Sequence, residues 1–478
     1  MKLIFDVSDK PKAGQLVVFA LQQMLAILAA TIAVPLIIGN GLTPAAAMFG
    51  AGVGTIVYIL FTKRKSPVFL GSSFAFLGSM AAAFAGGVSM QLGMLGLIIG
   101  ALLAGLVYVV IAIVVKFVGV GWLNKLMPAV VIGPTVAIIG LSLAGNAIGD
   151  LLKGDVTKQV TEYAVSTDSG TPEMIETVSN VPVGSSYVAL VCGLITLAVV
   201  MLCSTYGKKT LRLIPFVIGI LAGYAAAAIL TVIGTVCDID ALKIVDFSVF
   251  SSYMLTDGSI SLKTFVSLPD FAFVSGLKGL KEFDFSYFAT IFVAYVPVAL
   301  VVFAEHVADH KNLSSIIDHD LLEEPGLTRT LLGDGVGSIA GALFGGCPNT
   351  TYGESVACVA ITGNASVITI FAAAIGCMLF SFITPLVAFV DSIPACVMGG
   401  VCIALYGFIA VSGLKMIQDV NLEDNRNLFV VSVILIAGIG GLTLTFGDIT
   451  LTEVAAALIL GILTNVMLSK KKGNADKK

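Results

Sequence analysis

The 478-residue chain is 57% hydrophobic and only 12% charged, with a mean hydropathy of +1.02. No soluble fold of this length could hide that much apolar surface, so the composition excludes a soluble protein and predicts an all-α polytopic membrane protein. The net charge of −4 says little, because the placement of the charges matters more than their sum.

The N-terminal MKLIFDVSDKPKAG has no apolar core ending in a cleavage site, so no removable signal peptide is expected. Apolar stretches long enough to span a bilayer follow at 14–38, 45–62, 92–117, 125–148, 186–204, 211–234, 286–308, 366–390, 394–413, 427–444 and 450–468. Three more, at 67–86, 330–345 and 347–363, are shorter or interrupted by polar residues. Together they predict 14 transmembrane segments. Basic residues test this count. With the N-terminus inside, Lys63, Arg64, Lys65, Lys116, Lys125, Lys208, Lys209, Arg212, Lys311, Arg329, Lys415, Arg426 and both chain ends fall on the inner side, which holds 20 of the 26 basic residues. The other six lie in two long outside loops, about 150–185 and 237–284, to which no role is assigned. Both termini are therefore expected in the cytoplasm. The eight cysteines show no C-x-x-C spacing and read as small buried hydrophobes.

Internal repetition is visible. Met127–Gly133 (MPAVVIG) in span five matches Ile393–Gly399 (IPACVMG) in span twelve, seven spans on. Two halves of seven spans each must face opposite ways, which makes a 7+7 inverted repeat. A second correspondence joins Pro67–Phe74 in span three to Pro348–Ser355 in span ten. Both are short polar interruptions rich in residues that favour extended backbone: Val68, Phe69 and Phe74 in one, Thr350, Thr351 and Tyr352 in the other. A membrane tolerates such backbone only where protein encloses it. Two short extended pieces, one per half, could pair and leave each following helix starting near mid-membrane, with its amides facing a ligand. Pro348–Ser355 is thus read as half of a substrate pocket; the alternative is an ordinary loop between two helices.

Few charges fall inside spans, where they are costly and usually functional. Span eight ends Ala304-Glu305-His306-Val307-Ala308-Asp309-His310, span nine holds Asp334, and span ten begins with Glu354. Glu305 and Asp309 share one helix face. Like charges that close cannot both ionise cheaply in low dielectric, so the pair is a candidate proton-coupling site. For Asp309 a solvated cap of the helix end stands as an equal reading, and for His310 the solvated end is the expectation. His306-x-x-Asp309-His310 also fits a zinc-protease spacing, but no third ligand is in view, and neither metal nor nucleic-acid binding is expected. Gly333–Gly337 reads as close helix packing, with Asp334 among the glycines a candidate contact to the interrupted stretch.

These residues resemble a known family. Gly71–Phe76, Ala304-Glu305-His306, Pro325-Gly326, Pro348–Glu354 and Pro394–Gly399 are similar to the nucleobase–cation symporter-2 (nucleobase–ascorbate transporter) family, nearest its bacterial uracil permeases. The likeness runs over about 10–470. It implies a core domain from 14–117 and 286–391 and a gate domain from 124–234 and 393–469. It also implies proton symport without a further cofactor, a homodimer in many members, and a place in the cytoplasmic membrane. Carried over by position, Glu305 and Glu354 accept hydrogen bonds from the base, and Phe74 and Gly353 offer backbone amides. Tyr352 and Ala30 line the pocket, with Ser73 beside Phe74. Uracil has two N–H donors and two carbonyl acceptors on a flat ring, which two carboxylates, backbone amides and aromatic faces can match. Glu354 stands where purine-transporting relatives tend to have Gln, which favours uracil; a xanthine or urate carrier and a non-transporting nucleobase sensor are the alternatives. The chain departs from the family in having Gln22-Gln23 for a Gln-His pair, Asp309 for a frequent His, and Ser355-Val-Ala357 for Asn-x-Gly.

Overall fold

A computed structural model describes residues 3–119, 128–166, 173–254, 259–418, 420–446 and 449–469. Lys2, Lys125, Met127 and the lysines beyond 469, used above to argue topology and repetition, lie outside the described residues. The protein is overwhelmingly helical. Eight helices among the described residues are long and apolar enough to cross a membrane, and shorter apolar helices accompany them.

The chain divides into two compact units, one made of 1–143, 262–387 and 405–478, the other of 144–261 and 388–404. The first unit opens with α1 (Ala13–Ile38) and α2 (Pro44–Phe61), then strand β1 (Leu70–Ser72), α3 (Leu77–Ala83), α4 (Met90–Val118) and α5 (Ala129–Ser142). In the second unit α6 (Ala144–Leu151) leads to a hairpin of β2 (Thr157–Ser166) and β3 (Glu173–Pro182), then to α7 (Ser186–Tyr206) and α8 (Pro215–Val236), which pack on each other. Back in the first unit come short α9 (Ala272–Gly276), the 33-residue α10 (Phe285–Ile317), α11 (Leu327–Gly345), strand β4 (Asn349–Thr351), α12 (Gly353–Thr362) and α13 (Val367–Phe380). α14 (Thr384–Asp391) and α15 (Ala395–Met416) each have residues in both units. α16 (Asn425–Ile439), the β5 (Leu444–Phe446) and β6 (Ile449–Leu451) hairpin and α17 (Glu453–Ser469) close the chain.

α11 is the centre of the first unit, packed on α2 and α4. Its glycines permit this. A Cβ on Gly50 of α2 would sit 2.4 Å from the Gly341 carbonyl oxygen, and one on Gly337 would sit 2.7 Å from that of Gly54. Two backbones meet there with nothing between them, as expected of small-residue packing in lipid. α10 lies against α4 and also touches β4, α12 and the turn at 74–76. That contact carries the acidic face of α10 to the break in the helices.

The two interrupted stretches do pair. β1 and β4 run antiparallel with Leu70 opposite Thr351, Gly71 opposite Thr350 and Ser72 opposite Asn349. The ladder is extended at both ends, where Ser73 N–H donates to the Pro348 carbonyl (2.9 Å) and Tyr352 N–H to that of Phe69 (3.1 Å). Phe74, expected to be extended, instead opens a 3₁₀ turn over Phe74–Phe76 that runs into α3. The turn begins there because the ladder ends at Ser73, and a freed backbone inside apolar surroundings must close its own hydrogen bonds.

Candidate functional site

Three residues per strand are too few to stand alone, and side chains of α2 and α11, with Asn349 and Tyr352, hold this ladder. The Thr55 hydroxyl on α2 accepts from Leu70 N–H (2.9 Å) and lies 3.1 Å from the Leu70 carbonyl oxygen. Asn349 donates from Nδ2 to the Gly50 carbonyl (3.2 Å), and its N–H goes to the Ser338 hydroxyl (3.0 Å). Tyr352 folds back over β1 and donates its hydroxyl to the Ser72 carbonyl (3.0 Å). Gly71 makes this possible, because a Cβ there would lie 2.3 Å from the Tyr352 ring. With both strands fixed, two helix starts face the same region: the turn at Phe74 leading into α3, and α12 at Gly353. The first amides of each have no partner within their own helix.

Three carboxylates gather at these starts. Glu305 and Asp309 are one turn apart on α10, and Glu354 is in the first turn of α12. All three are half-buried, and they are mutual electrostatic neighbours. The Thr351 hydroxyl donates to Asp309 Oδ2 (2.8 Å), tying that carboxylate to the end of β4. Beside it Gly353 is exposed. Such a group of carboxylates can accept hydrogen bonds from a neutral N–H donor and can hold a proton, while the helix-start amides serve an acceptor. Ser73 is buried, and its hydroxyl has no partner among the described residues. Phe74 packs edge-on against Tyr406 at 5.8 Å.

Ala30 and Tyr352 pack beside the ladder. Both are buried, and the Tyr352 hydroxyl is engaged with the β1 backbone, so its ring braces the strands from within. His310 corrects the sequence reading. It is fully buried rather than solvated, with Nδ1 on the His306 carbonyl (2.7 Å) and Nε2 on the Tyr58 hydroxyl (2.6 Å), which in turn meets Ser66 Oγ (2.7 Å). Asp334 faces α10 rather than the strands, at 2.7 Å from His306 Nδ1; His306 Nε2 meets the Thr330 hydroxyl at 3.0 Å. Both imidazoles are thus committed to protein partners, which is not how a pair of zinc ligands would be held.

One pairing escaped the sequence reading. Gln23 Nε2 donates to Ser355 Oγ, and that oxygen also accepts from Phe69 N–H (3.0 Å). Two apparently separate departures from the family pattern, Gln for His in span one and Ser for Asn after Glu354, are in contact with each other. Each departure was visible in the sequence, but nothing in it said that the two side chains meet.

Comparison with known proteins follows the same line. A family model described as Permease family, of xanthine–uracil permease type, matches residues 14–446. The chain is 36% identical to the uracil permease of Bacillus caldolyticus, over 99% of this chain and 97% of that one. It is 34% identical to the uracil permease of Bacillus subtilis (98% and 96% covered) and 32% to that of Escherichia coli K12 (95% and 92%). Among solved structures, the transmembrane domain of the cyanobacterial bicarbonate transporter BicA superposes with a TM-score of 0.57 at 13% identity, covering 96% of this chain and all of that one. SLC26A9 superposes at 0.60 with 12% identity, covering 96% of this chain and 66% of that one. These two likenesses concern the fold alone.

Proposed function

The chain belongs to the xanthine–uracil permease family, a family of multi-pass membrane transporters rather than enzymes, and from that premise we propose that it imports uracil together with a proton. The observation that carries this reading is the convergence of Glu305, Asp309 and Glu354 on two helix starts joined by the β1–β4 ladder. Glu354 and Glu305 accept the two N–H groups of the ring; the amides of Phe74 and Gly353 serve its carbonyls, with Ser73 beside them. Tyr352 and Ala30 form the wall behind. A proton held among Glu305, Asp309 and Glu354 relieves the repulsion between carboxylates and lets a neutral ring bind. Its loss toward the cytoplasm releases both. No cofactor beyond the proton is needed.

This reading places the chain in the cytoplasmic membrane with 14 spans in a 7+7 inverted repeat and both termini inside. The core (14–117 and 286–391) rocks against the gate (124–234 and 393–469), and two copies associate as a dimer. The test is uptake of labelled uracil into proteoliposomes with and without an inward proton gradient. Uptake should rise with the gradient and vanish in Glu354→Gln and Glu305→Ala. Wild-type uptake in either variant removes the site assignment. Preferential competition by xanthine or urate would reassign the substrate to purines, and binding without flux would make the protein a sensor.

A further inference from the structure

The long connection before α10 carries a second, unassigned surface. α4 exposes Leu102, Leu106, Val110, Ile113 and Phe117, which recur at intervals of three and four and so form one helix face. This stripe spans roughly 24 Å at 1.5 Å per residue, close to a hydrocarbon core of about 30 Å. Continued toward the start of α4, the same face runs through Ile98, Leu95 and Gln91. There Leu95 is buried and Ile98 half-buried beneath protein, while Gln91 stays exposed at the very end. A Cβ on Gly276 would lie 3.0 Å from Ile98 Cδ1 and 3.3 Å from the Leu95 nitrogen, and one on Gly279 would lie 2.4 Å from the Gln91 carbonyl oxygen. The segment 272–281 therefore takes over from lipid above the stripe. It is pinned nearby, with Ser267 N–H donating to the Phe382 carbonyl (3.0 Å) and Thr384 N–H to the Phe265 carbonyl (3.1 Å).

What this cover shows to its surroundings is itself apolar. Val274, Leu277 and Leu280 are 49%, 59% and 55% exposed. Leu277–Lys281 is a 3₁₀ turn, in which residues three apart eclipse, so Leu277 and Leu280 form one ridge, preceded by Val274 in the last turn of α9 and with Lys278 and Lys281 exposed along its edge. Water is the wrong solvent for such a ridge, and it is continuous with the lipid-facing stripe below it. We propose that 272–281 lies in the boundary between acyl chains and headgroups, with Val274, Leu277 and Leu280 among the first methylenes and Lys278 and Lys281 on anionic headgroup phosphates. It clamps the end of α4 at a fixed depth. This placement holds whichever solute the chain carries.

The test uses the full chain in vesicles of phosphatidylcholine and phosphatidylglycerol. Trp122, the only tryptophan, is replaced by Phe, and Leu277→Trp or Leu280→Trp is introduced as a depth probe. Lipids brominated near the headgroup should quench these tryptophans more strongly than lipids brominated deep in the tails, and aqueous iodide should quench them little. Lys158→Trp, exposed on β2 in the other outside loop, supplies the aqueous reference on the same side of the membrane. Iodide quenching equal to the reference overturns the proposal. So does protection from both quenchers, which would mean that another protein copy covers the ridge. With Lys278→Gln and Lys281→Gln combined, shallow quenching should lose its dependence on phosphatidylglycerol; an unchanged dependence removes the lysines' part.

Discussion

At Gly71 a single hydrogen atom decides whether Tyr352 can reach across to Ser72. Gly71→Ala would push a methyl into the ring and cost about 1–3 kcal/mol of overpacking, with loss of uptake in proportion to the misplaced strand. A lower melting temperature in detergent, with uptake reduced, is the expected result. Tyr58→Phe is subtler. It removes one hydroxyl and leaves His310 Nε2 buried and unpaired, which costs about 1–3 kcal/mol without changing side-chain volume appreciably. Asp309→Asn keeps the Thr351 bond but cannot exchange a proton, so uptake should depend less on external acidity; an unchanged pH profile exonerates Asp309. Much at this scale was legible, because charges in apolar spans are few and announce themselves. Orientation was not. Nothing in the spacing of Tyr352 says that its ring points at β1, and the His310 pattern could not distinguish a solvated helix end from a buried bond to a helix 252 residues away.

Elements are legible where they are long. Most of the long apolar runs became helix, since in lipid a helix satisfies every backbone group within itself, although 366–390 is broken between α13 and α14 and 427–444 ends in β5. The three-residue strands were visible only as breaks in apolar runs, and their register depended on partners far along the chain. Caps depend on distant partners in the same way. In the turn after α6, Asp155 Oδ1 accepts the Ala395 N–H at 3.0 Å and so caps α15 from 240 residues away. Burial, with a further push from Asp246 and Asp150, raises the Asp155 carboxyl to about 6 despite that bond. An unfolded aspartate titrates near 3.9, so between roughly pH 4 and 6 the folded chain binds the extra proton. The stabilisation is therefore complete below pH 4 and is lost as pH rises through 6. Melting temperature should fall over that interval, and should fall less in Asp155→Asn, which retains an acceptor for Ala395. An identical slope in the variant would exclude Asp155 as the source.

For the molecule as a whole, the exposed face of α4 sets the terms on which it lives in a bilayer. Leu106→Asp places a carboxylate mid-stripe and should cost about 2.5–3.5 kcal/mol of insertion free energy, seen as a smaller membrane-inserted fraction on expression. Equal insertion would mean that this face meets protein instead. The β1–β4 ladder has a different consequence, one of timing. Leu70 and Thr351 stand 281 residues apart in the chain, so a ribosome that has released the first strand must add well over half the protein before its mate exists. Until then the early spans wait in the membrane with a dangling, unmated edge. With the solute site proposed at this ladder, a copy released before Thr351 has only half of it and cannot carry solute through a half-built door.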